Sequence, residues 1–518
     1  MSTHTTTGKR FFFWAALSGL VGGAVFLAVA ELAALIFAST ASPILAVGSF
    51  VIDIVPRPLK EFAITTFGEY DKIALLAGLG IAVVVASAIA GILEYVRPPL
   101  GVIALFVAGI LSGAAIVTRA EATTLAFVPP LLGTLAAAAV LFLLGRRLRA
   151  WRDARKSGEE SEGLDRRRFL VMTGLAGASA VIVGVASRAV SAATSSADAI
   201  RRALKLPAPK STVPIPAGAE LDVPGISPLF TPNADFYRVD TALTVPNVDP
   251  STWKLVIDGM VDKRVELSFQ DLLDMGLDEY AITLTCVSNE VGGELVGNAK
   301  WQGVRLRDVL KMAGPKSGAD MILSRSVDGY TASTPLSAVT DENIDAILAV
   351  AMNGEPLPPE HGFPVRMVIP GLYGYVSATK WVTELKITTF ADDEAYWTPR
   401  GYSAEAPIKF SSRVDTPKSG TPVKAGKVPI AGVAWAQTVG IERVEVSIDN
   451  GDWIPAKLST PINADTWVQW VVDWDATPGT HYVAVRAINK DGDMQIEERA
   501  AIAPNGSSGW QRSLISVS

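Results

Sequence analysis

The 518-residue sequence predicts a multi-domain protein: an N-terminal α-helical membrane bundle of about five spans, then an α+β domain, then a β-sandwich of immunoglobulin type. Three observations carry this prediction. Hydrophobic residues make up 49% of the chain and mean hydropathy is +0.31, high for a wholly water-soluble protein, and the apolar excess sits at the front. Residues 236–395 mix short strand-like runs with helical ones. From about residue 408, alternating strands and turns recur at regular spacing.

In the membrane half, apolar runs at about residues 11–38, 73–93, 99–118, 124–144 and 169–187 each reach the roughly 20 residues a bilayer requires. The shorter run from Ile44 to Val55 is broken by Asp53 and followed by Pro56 and Pro58, which predicts an interfacial or re-entrant piece. Arg146, Arg147, Arg149, Arg152, Arg155, Lys156 and Arg166 to Arg168 cluster between the fourth and fifth spans, which places that loop in the cytoplasm. Lys9, Arg10 and Arg97 fall on the same side when five spans are counted. The reading is therefore a multi-pass protein of a bacterial cytoplasmic membrane with everything after about residue 190 on the extracytoplasmic side. The fifth span opens Asp165-Arg166-Arg167-Arg168-Phe169-Leu170, which resembles the RRxFL core of a twin-arginine export signal, and Gly174, Gly177 and Gly184 keep it only mildly hydrophobic. Positive-inside charge is the alternative account of the same arginines. The small residues at Ala189–Ala193 offer a cleavage point, but four preceding spans argue for a retained anchor.

The expected boundaries are a transmembrane domain at 1–190, with the twin-arginine-like motif at 166–170, and an Ala-, Ser- and Pro-rich linker at 191–230. The α+β domain follows at 231–400 and the immunoglobulin-like domain at 401–518. Residues 201–518 hold 29 Lys and Arg against 39 Asp and Glu, a net of −10, leaving +4 for the first 200. An acidic outer half has no electrostatic footprint for nucleic acid. Within the α+β domain, Trp253–Ile257 reads as a strand, and Arg307–Met312 and Ile344–Val350 as helical. In the last domain Val428–Trp435, Val444–Ile448, Trp467–Trp470 and His481–Ala487 read as strands, with a turn at Asp449–Asp452. Its tryptophans are expected in the core and at interfaces.

Cys286 is the only cysteine, so no internal disulfide or CxxC site exists. Its sulfur is either an inert packing group or a solitary ligand or nucleophile. It lies in Leu284-Thr285-Cys286-Val287-Ser288-Asn289-Glu290, ahead of Trp301-Gln302-Gly303-Val304-Arg305-Leu306. Asp235-Phe236-Tyr237-Arg238 precedes it. His361-Gly362-Phe363-Pro364-Val365-Arg366, continuing to Gly371, and Ser377-Ala378-Thr379-Lys380-Trp381 follow. In this order the blocks resemble the sulfite oxidase family of molybdopterin enzymes over about residues 225–515.

The resemblance implies a molybdenum–molybdopterin cofactor with Cys286 as the metal's protein ligand. It implies Arg366 and Lys380 as cations for the pterin phosphate, His361 and Ser377 as hydrogen-bonding partners, and Tyr237 and Arg238 beside the cofactor. Arg238 and Tyr330, in Asp328-Gly329-Tyr330-Thr331, match active-site positions of the family, so Cys286, Arg238 and Tyr330 are the expected catalytic set. The last domain resembles the family's dimerisation domain, which leaves open a homodimer formed through it. Sulfite oxidases place a further arginine shortly after the cysteine and another near the C-terminus. This chain has Glu290-Val291-Gly292 and Ala503-Pro504-Asn505-Gly506 there, so the pocket reads as less positive than a sulfite dianion requires.

The three histidines, His4, His361 and His481, all lie outside the spans, and no cysteine set exists, so haem b, haem c and iron–sulfur clusters are not expected. Electrons must then pass directly to or from a quinone or an extracytoplasmic redox protein. The expected function is membrane-anchored two-electron oxygen-atom transfer on a small S- or N-oxide substrate. The alternatives are a sulfite dehydrogenase and a non-catalytic membrane-anchored binding module.

Overall fold

The structure is a computed structural model that describes residues 4–37, 43–55, 59, 62, 66–67, 71–117, 125–157, 162–194 and 197–518. The chain divides into two compact units, Met1–Ser196 with Ala242–Thr244, and Ala197–Thr241 with Val245–Ser518.

Among the described residues of the first unit, five helices are long and apolar enough to cross a membrane: Arg10–Leu35, Lys72–Val96, Leu100–Val117, Val128–Ser157 and Gly163–Val185. The 12-residue helix Pro43–Ile54 is too short to span. Pro56 and Pro58, and residues 38, 118 and 124 at the ends of expected spans, lie outside the described residues. Small residues let these helices approach closely. A Cβ on Gly19 would stand 1.9 Å from the Ser87 carbonyl oxygen, one on Gly91 2.1 Å from that of Ala15, and one on Gly109 2.0 Å from Thr134 Oγ1. One end of the bundle is an aromatic cluster of Phe11, Trp14, Trp151 and Phe169. Glu94, fully buried, accepts the Val102 N–H at 3.3 Å and so caps the start of the next helix, with Arg149 3.7 Å away.

The second unit is β-rich. One mixed sheet runs β2 (Val265–Ser268), β1 (Lys254–Gly259), β10 (Val382–Thr388), β5 (Met321–Ser326), β6 (Thr331–Pro335), in which β1 and β10 pair in parallel. A second runs β3 (Asp278–Thr285), β4 (Val296–Arg305), β7 (Ile347–Met352), β8 (Glu355–Pro356), with β9 (Arg366–Val368) also on β7. The helix expected at 307–312 is present as Leu306–Ala313. The one expected at 344–350 is not: Ile347–Met352 is strand β7, with all six residues buried between β4 and β9. A strand covered on both faces shows a continuous apolar run with no alternation, which periodicity cannot separate from a short buried helix.

Two four-stranded sheets follow. One is β11 (Ser411–Thr416), β12 (Gly426–Trp435), β16 (Val468–Ala476) and β15 (Lys457–Leu458). The other is β14 (Ile454–Pro455), β13 (Ile441–Ile448), β17 (Gly479–Asn489) and β18 (Gln511–Val517). They share one core, in which Ile430, Trp470 and Val472 of the first meet Val444, Val446, Val483, Val485 and Ile515 of the second. The β13–β14 turn carries Asp449 at φ 53° and Asn450 at φ 58°, left-handed positions that Asp and Asn tolerate best after glycine.

These two sheets are tied to the strand that delivers the cysteine. Gln437 Nε2 donates to the Thr283 carbonyl at 2.7 Å, the Trp467 N–H donates to Thr283 Oγ1 at 2.9 Å, and Trp435 and Trp467 pack with Val296. The stretch expected as a free linker runs along the same unit. Arg201 donates to the Pro356 and Leu357 carbonyls and pairs with Glu355, the Glu279 N–H donates to the Ser211 carbonyl, and the Leu221 N–H donates to Gln469 Oε1.

Candidate active site

Strand β3 ends at Thr285, and Cys286 opens the turn beyond it. The Cys286 N–H donates to the Leu295 carbonyl at 2.9 Å, the Asn289 N–H donates to the Cys286 carbonyl at 3.0 Å, and Asn289 Oδ1 accepts the Leu295 N–H at 2.9 Å. The loop is therefore closed on itself and holds a buried sulfur that accepts the Ser288 N–H at 3.4 Å. Burial pushes the thiol pKa up, while the Ser288 hydrogen bond and the Lys380 charge pull the other way.

Three phenols stand in the field of this sulfur. Burial raises the pKa of Tyr237 and Tyr330 far above the usual phenol range, and burial together with a negative charge on Cys286 raises that of Tyr373 to about 12; the Cys286 charge acts in the same direction on the other two. Tyr330 donates its hydroxyl proton to the Tyr375 carbonyl at 2.6 Å. Thr285 Oγ1 is buried without a hydrogen-bond partner.

Beside the phenols lies a cluster of cations. The short turn Pro359–His361 leads into Gly362 at φ 110°, where a Cβ would meet Arg366 Cβ at 3.0 Å and Lys380 Cβ at 3.1 Å. Only glycine permits both that backbone and that approach. Arg366 is 5% exposed, lies over the Trp301 ring at 5.1 Å, and donates to carbonyl oxygens alone, those of Met367, His361 and Ala378. It makes no ion pair among the described residues, and burial lowers its pKa to about 10. Lys380 is lowered to about 8 by burial, opposed by Asp240, which it meets at 2.7 Å; Arg238 meets the same carboxylate at 2.8 Å. His361 Nε2 lies 3.2 Å from the Asn233 carbonyl, and burial with the Arg366 and Lys380 charges lowers the imidazole to about 3, so the ring is neutral at pH 7.

The structure thus gathers the expected residues at two adjacent places. Cys286, Tyr237 and Tyr330 form one, and His361, Arg366, Lys380 and Arg238 the other. Arg238 falls with the cations, its side chain 39% exposed. The Ser377 hydroxyl is buried and donates to the Leu372 and Tyr373 carbonyls at 2.9 and 3.1 Å, leaving its oxygen as an acceptor. Thr285, Tyr373 and Asp240 escaped sequence reasoning. Asp240 had a signal, an opposite charge two residues after Arg238. Tyr373 had none, because only the fold carries it toward the cysteine.

The molybdopterin implied by the sequence blocks carries an anionic phosphate, and these residues fit it. A buried guanidinium that has only neutral acceptors costs free energy unless an anion joins it, and of the three cations here Lys380 and Arg238 share the Asp240 carboxylate while Arg366 meets none among the described residues. A soft sulfur donor sits next to that excess positive charge, which suits a thiolate-ligated metal.

Comparison with known proteins agrees with this geometry. The oxidoreductase molybdopterin binding domain family matches residues 242–397. Mitochondrial sulfite oxidase of Rattus norvegicus is 32% identical over 289 residues, covering 46% of this chain and 52% of that protein. Sulfite oxidase of Arabidopsis thaliana is 29% identical over 333 residues, covering 52% and 84%. The uncharacterized oxidoreductase YuiH of Bacillus subtilis is 37% identical over 154 residues, covering 30% and 74%. The chain spans about half the length of the mammalian sulfite oxidases it matches. A matching domain around Cys286, most of a bacterial oxidoreductase aligned to it, and sulfite oxidases of animal and plant aligned across and beyond it lead to one conclusion: the chain belongs to the sulfite oxidase family of molybdopterin-binding oxidoreductases.

Proposed function

We propose that this molybdenum oxidoreductase is anchored in a bacterial cytoplasmic membrane by its apolar helices and acts on the outer side. There it would transfer an oxygen atom to or from a small sulfur or nitrogen oxo-compound. The observation that carries the reading is the single buried cysteine among three phenols, next to a buried guanidinium with only neutral acceptors. Family membership removes the non-catalytic binding-module alternative.

In this reading Cys286 holds the metal, and Arg366 and Lys380 neutralise the pterin phosphate. Neutral His361, donating from Nε2 to the Asn233 carbonyl, keeps Nδ1 as an acceptor. Molybdenum in a pterin dithiolene supplies two-electron redox chemistry coupled to oxygen-atom transfer, for which side chains have no group of their own. Tyr330, kept protonated by its raised pKa, holds a proton at its hydroxyl beside the cysteine and orients it toward the Tyr375 carbonyl. Tyr237, also protonated, stacks on Phe236, and Arg238 pairs with the shared Asp240 carboxylate. Residues 231–400 would form the cofactor domain and 401–518 an immunoglobulin-like domain through which two copies pair. Electrons would pass to or from a quinone or an extracytoplasmic redox protein, without haem or iron–sulfur relays.

A sulfite dehydrogenase is the second reading, favoured by the names of the aligned animal and plant relatives. Steady-state kinetics with both substrate classes separates the two. With Val291 where the family has an arginine, sulfite dianion is expected to turn over poorly beside sulfoxides or N-oxides, because its second charge must be desolvated without a partner. Efficient sulfite oxidation by the wild type would reverse the order of the readings.

A further inference from the structure

The loop Ala503–Gly506 carries no cation of its own, yet the fold brings one to it. Lys409 Nζ donates to Asn505 Oδ1 at 3.0 Å and to the Gly506 carbonyl at 2.7 Å. Its backbone N–H points at the Tyr373 hydroxyl, 3.4 Å away. Residues 406–408 are held there because the Tyr373 N–H donates to the Ala406 carbonyl and the Ile408 N–H to that of Gly371. Gly506 approaches the same phenol so closely that a Cβ would stand 2.3 Å from Tyr373 Oη. The next residue of the loop reaches the cysteine turn, with Ser507 Oγ donating to the Asn289 carbonyl at 2.7 Å. The Lys409 ammonium is therefore linked to the Cys286 turn on one side and to the phenol rim on the other.

Lys409 makes no ion pair among the described residues, and both of its acceptors are neutral. Burial lowers its pKa, and no carboxylate acts to raise it. A cation held on the Gly506 carbonyl, next to the Tyr373 hydroxyl, and left without a counter-charge among the described residues is suited to an anionic ligand.

Resting on the oxidoreductase reading above, we infer that Lys409 is the specificity-determining cation of the substrate pocket, selecting a sulfur oxo-substrate that bears one negative charge. It supplies from a distant part of the chain what Val291 and the Ala503–Gly506 loop do not. One ammonium without an accompanying arginine matches one charge and not two.

The test uses full-length protein and methanesulfonate, a singly charged sulfur oxyanion that does not react, with binding followed by isothermal titration calorimetry. Lys409→Met is expected to weaken binding about tenfold or more, the loss of one charge-assisted hydrogen bond, while Lys409→Arg retains it. Asn505→Ala removes the tether but keeps the charge, and is expected to bind like wild type. In kinetics, Lys409→Met raises the ratio of KM for an anionic to a neutral oxo-substrate by a similar factor. The inference is overturned if Lys409→Met binds methanesulfonate as wild type does, or if Asn505→Ala loses as much binding, which would make Lys409 a loop tie only. Molybdenum content is measured on the same samples, so a metal-free wild type overturns the oxidoreductase reading while the anion data decide Lys409 separately.

Discussion

His361 illustrates how a buried site fixes a protonation state. Its ring is lowered to about 3 by burial and by the facing Arg366 and Lys380 charges, against an ordinary value near 6.5. Below pH 6.5 the unfolded chain protonates this histidine and the folded one does not, so unfolding takes up a proton. Stability from this group is fully present above pH 6.5 and is lost as pH falls toward 3, by up to about 1.4 kcal/mol per pH unit. Chemical denaturation of wild type and His361→Gln between pH 4 and 7 checks this, and the variant is expected to show the shallower slope; equal slopes would mean the ring is not held neutral. At this scale Cys286, Tyr237, Arg238, His361, Arg366 and Lys380 were legible because each lies in a short block whose order matches a family. Tyr373 and Lys409 were not. Their placement depends on which strands pair and where a loop folds back, and no local pattern records that.

Among the elements, β12, β13, β16 and β17 were legible in the runs Val428–Trp435, Val444–Ile448, Trp467–Trp470 and His481–Ala487, while β18 was missed although its burial alternates along Gln511–Val517. β7 was missed for want of an open face. The Pro-rich stretch after residue 203 reads as free chain by composition, but its backbone groups find partners along the β unit. The helix Glu162–Thr194 carries the most consequential element-level expectation. Phe169 is fully buried against Trp14 and Trp151, and the Arg166 guanidinium lies 6.0 Å from the Trp151 ring, which suits a helix retained in the bundle. If Arg166 and Arg167 also direct export, replacing both with Lys strands residues 200–518 inside the cell, because a domain folded around its cofactor cannot thread a channel for unfolded chains. Protease added to intact spheroplasts should then digest the outer domain of wild type and spare that of the variant, and equal digestion would contradict an export role.

For the whole molecule, composition separated an apolar front from an acidic remainder, and the chain divides into two compact units at nearly the same place. What composition could not convey is that the two four-stranded sheets contact the strand and turn that carry Cys286. They hold Thr283 near the end of β3, and their last loop touches both the Cys286 turn and Lys409. The proposed function rests on Cys286 binding molybdenum within the second unit. X-ray absorption at the molybdenum edge on full-length wild type and Cys286→Ser tests it most directly. Wild type is expected to carry about one molybdenum per chain, and the variant one sulfur neighbour fewer around the metal. Metal-free wild type from molybdenum-replete cells, or the same sulfur count in both proteins, would contradict it.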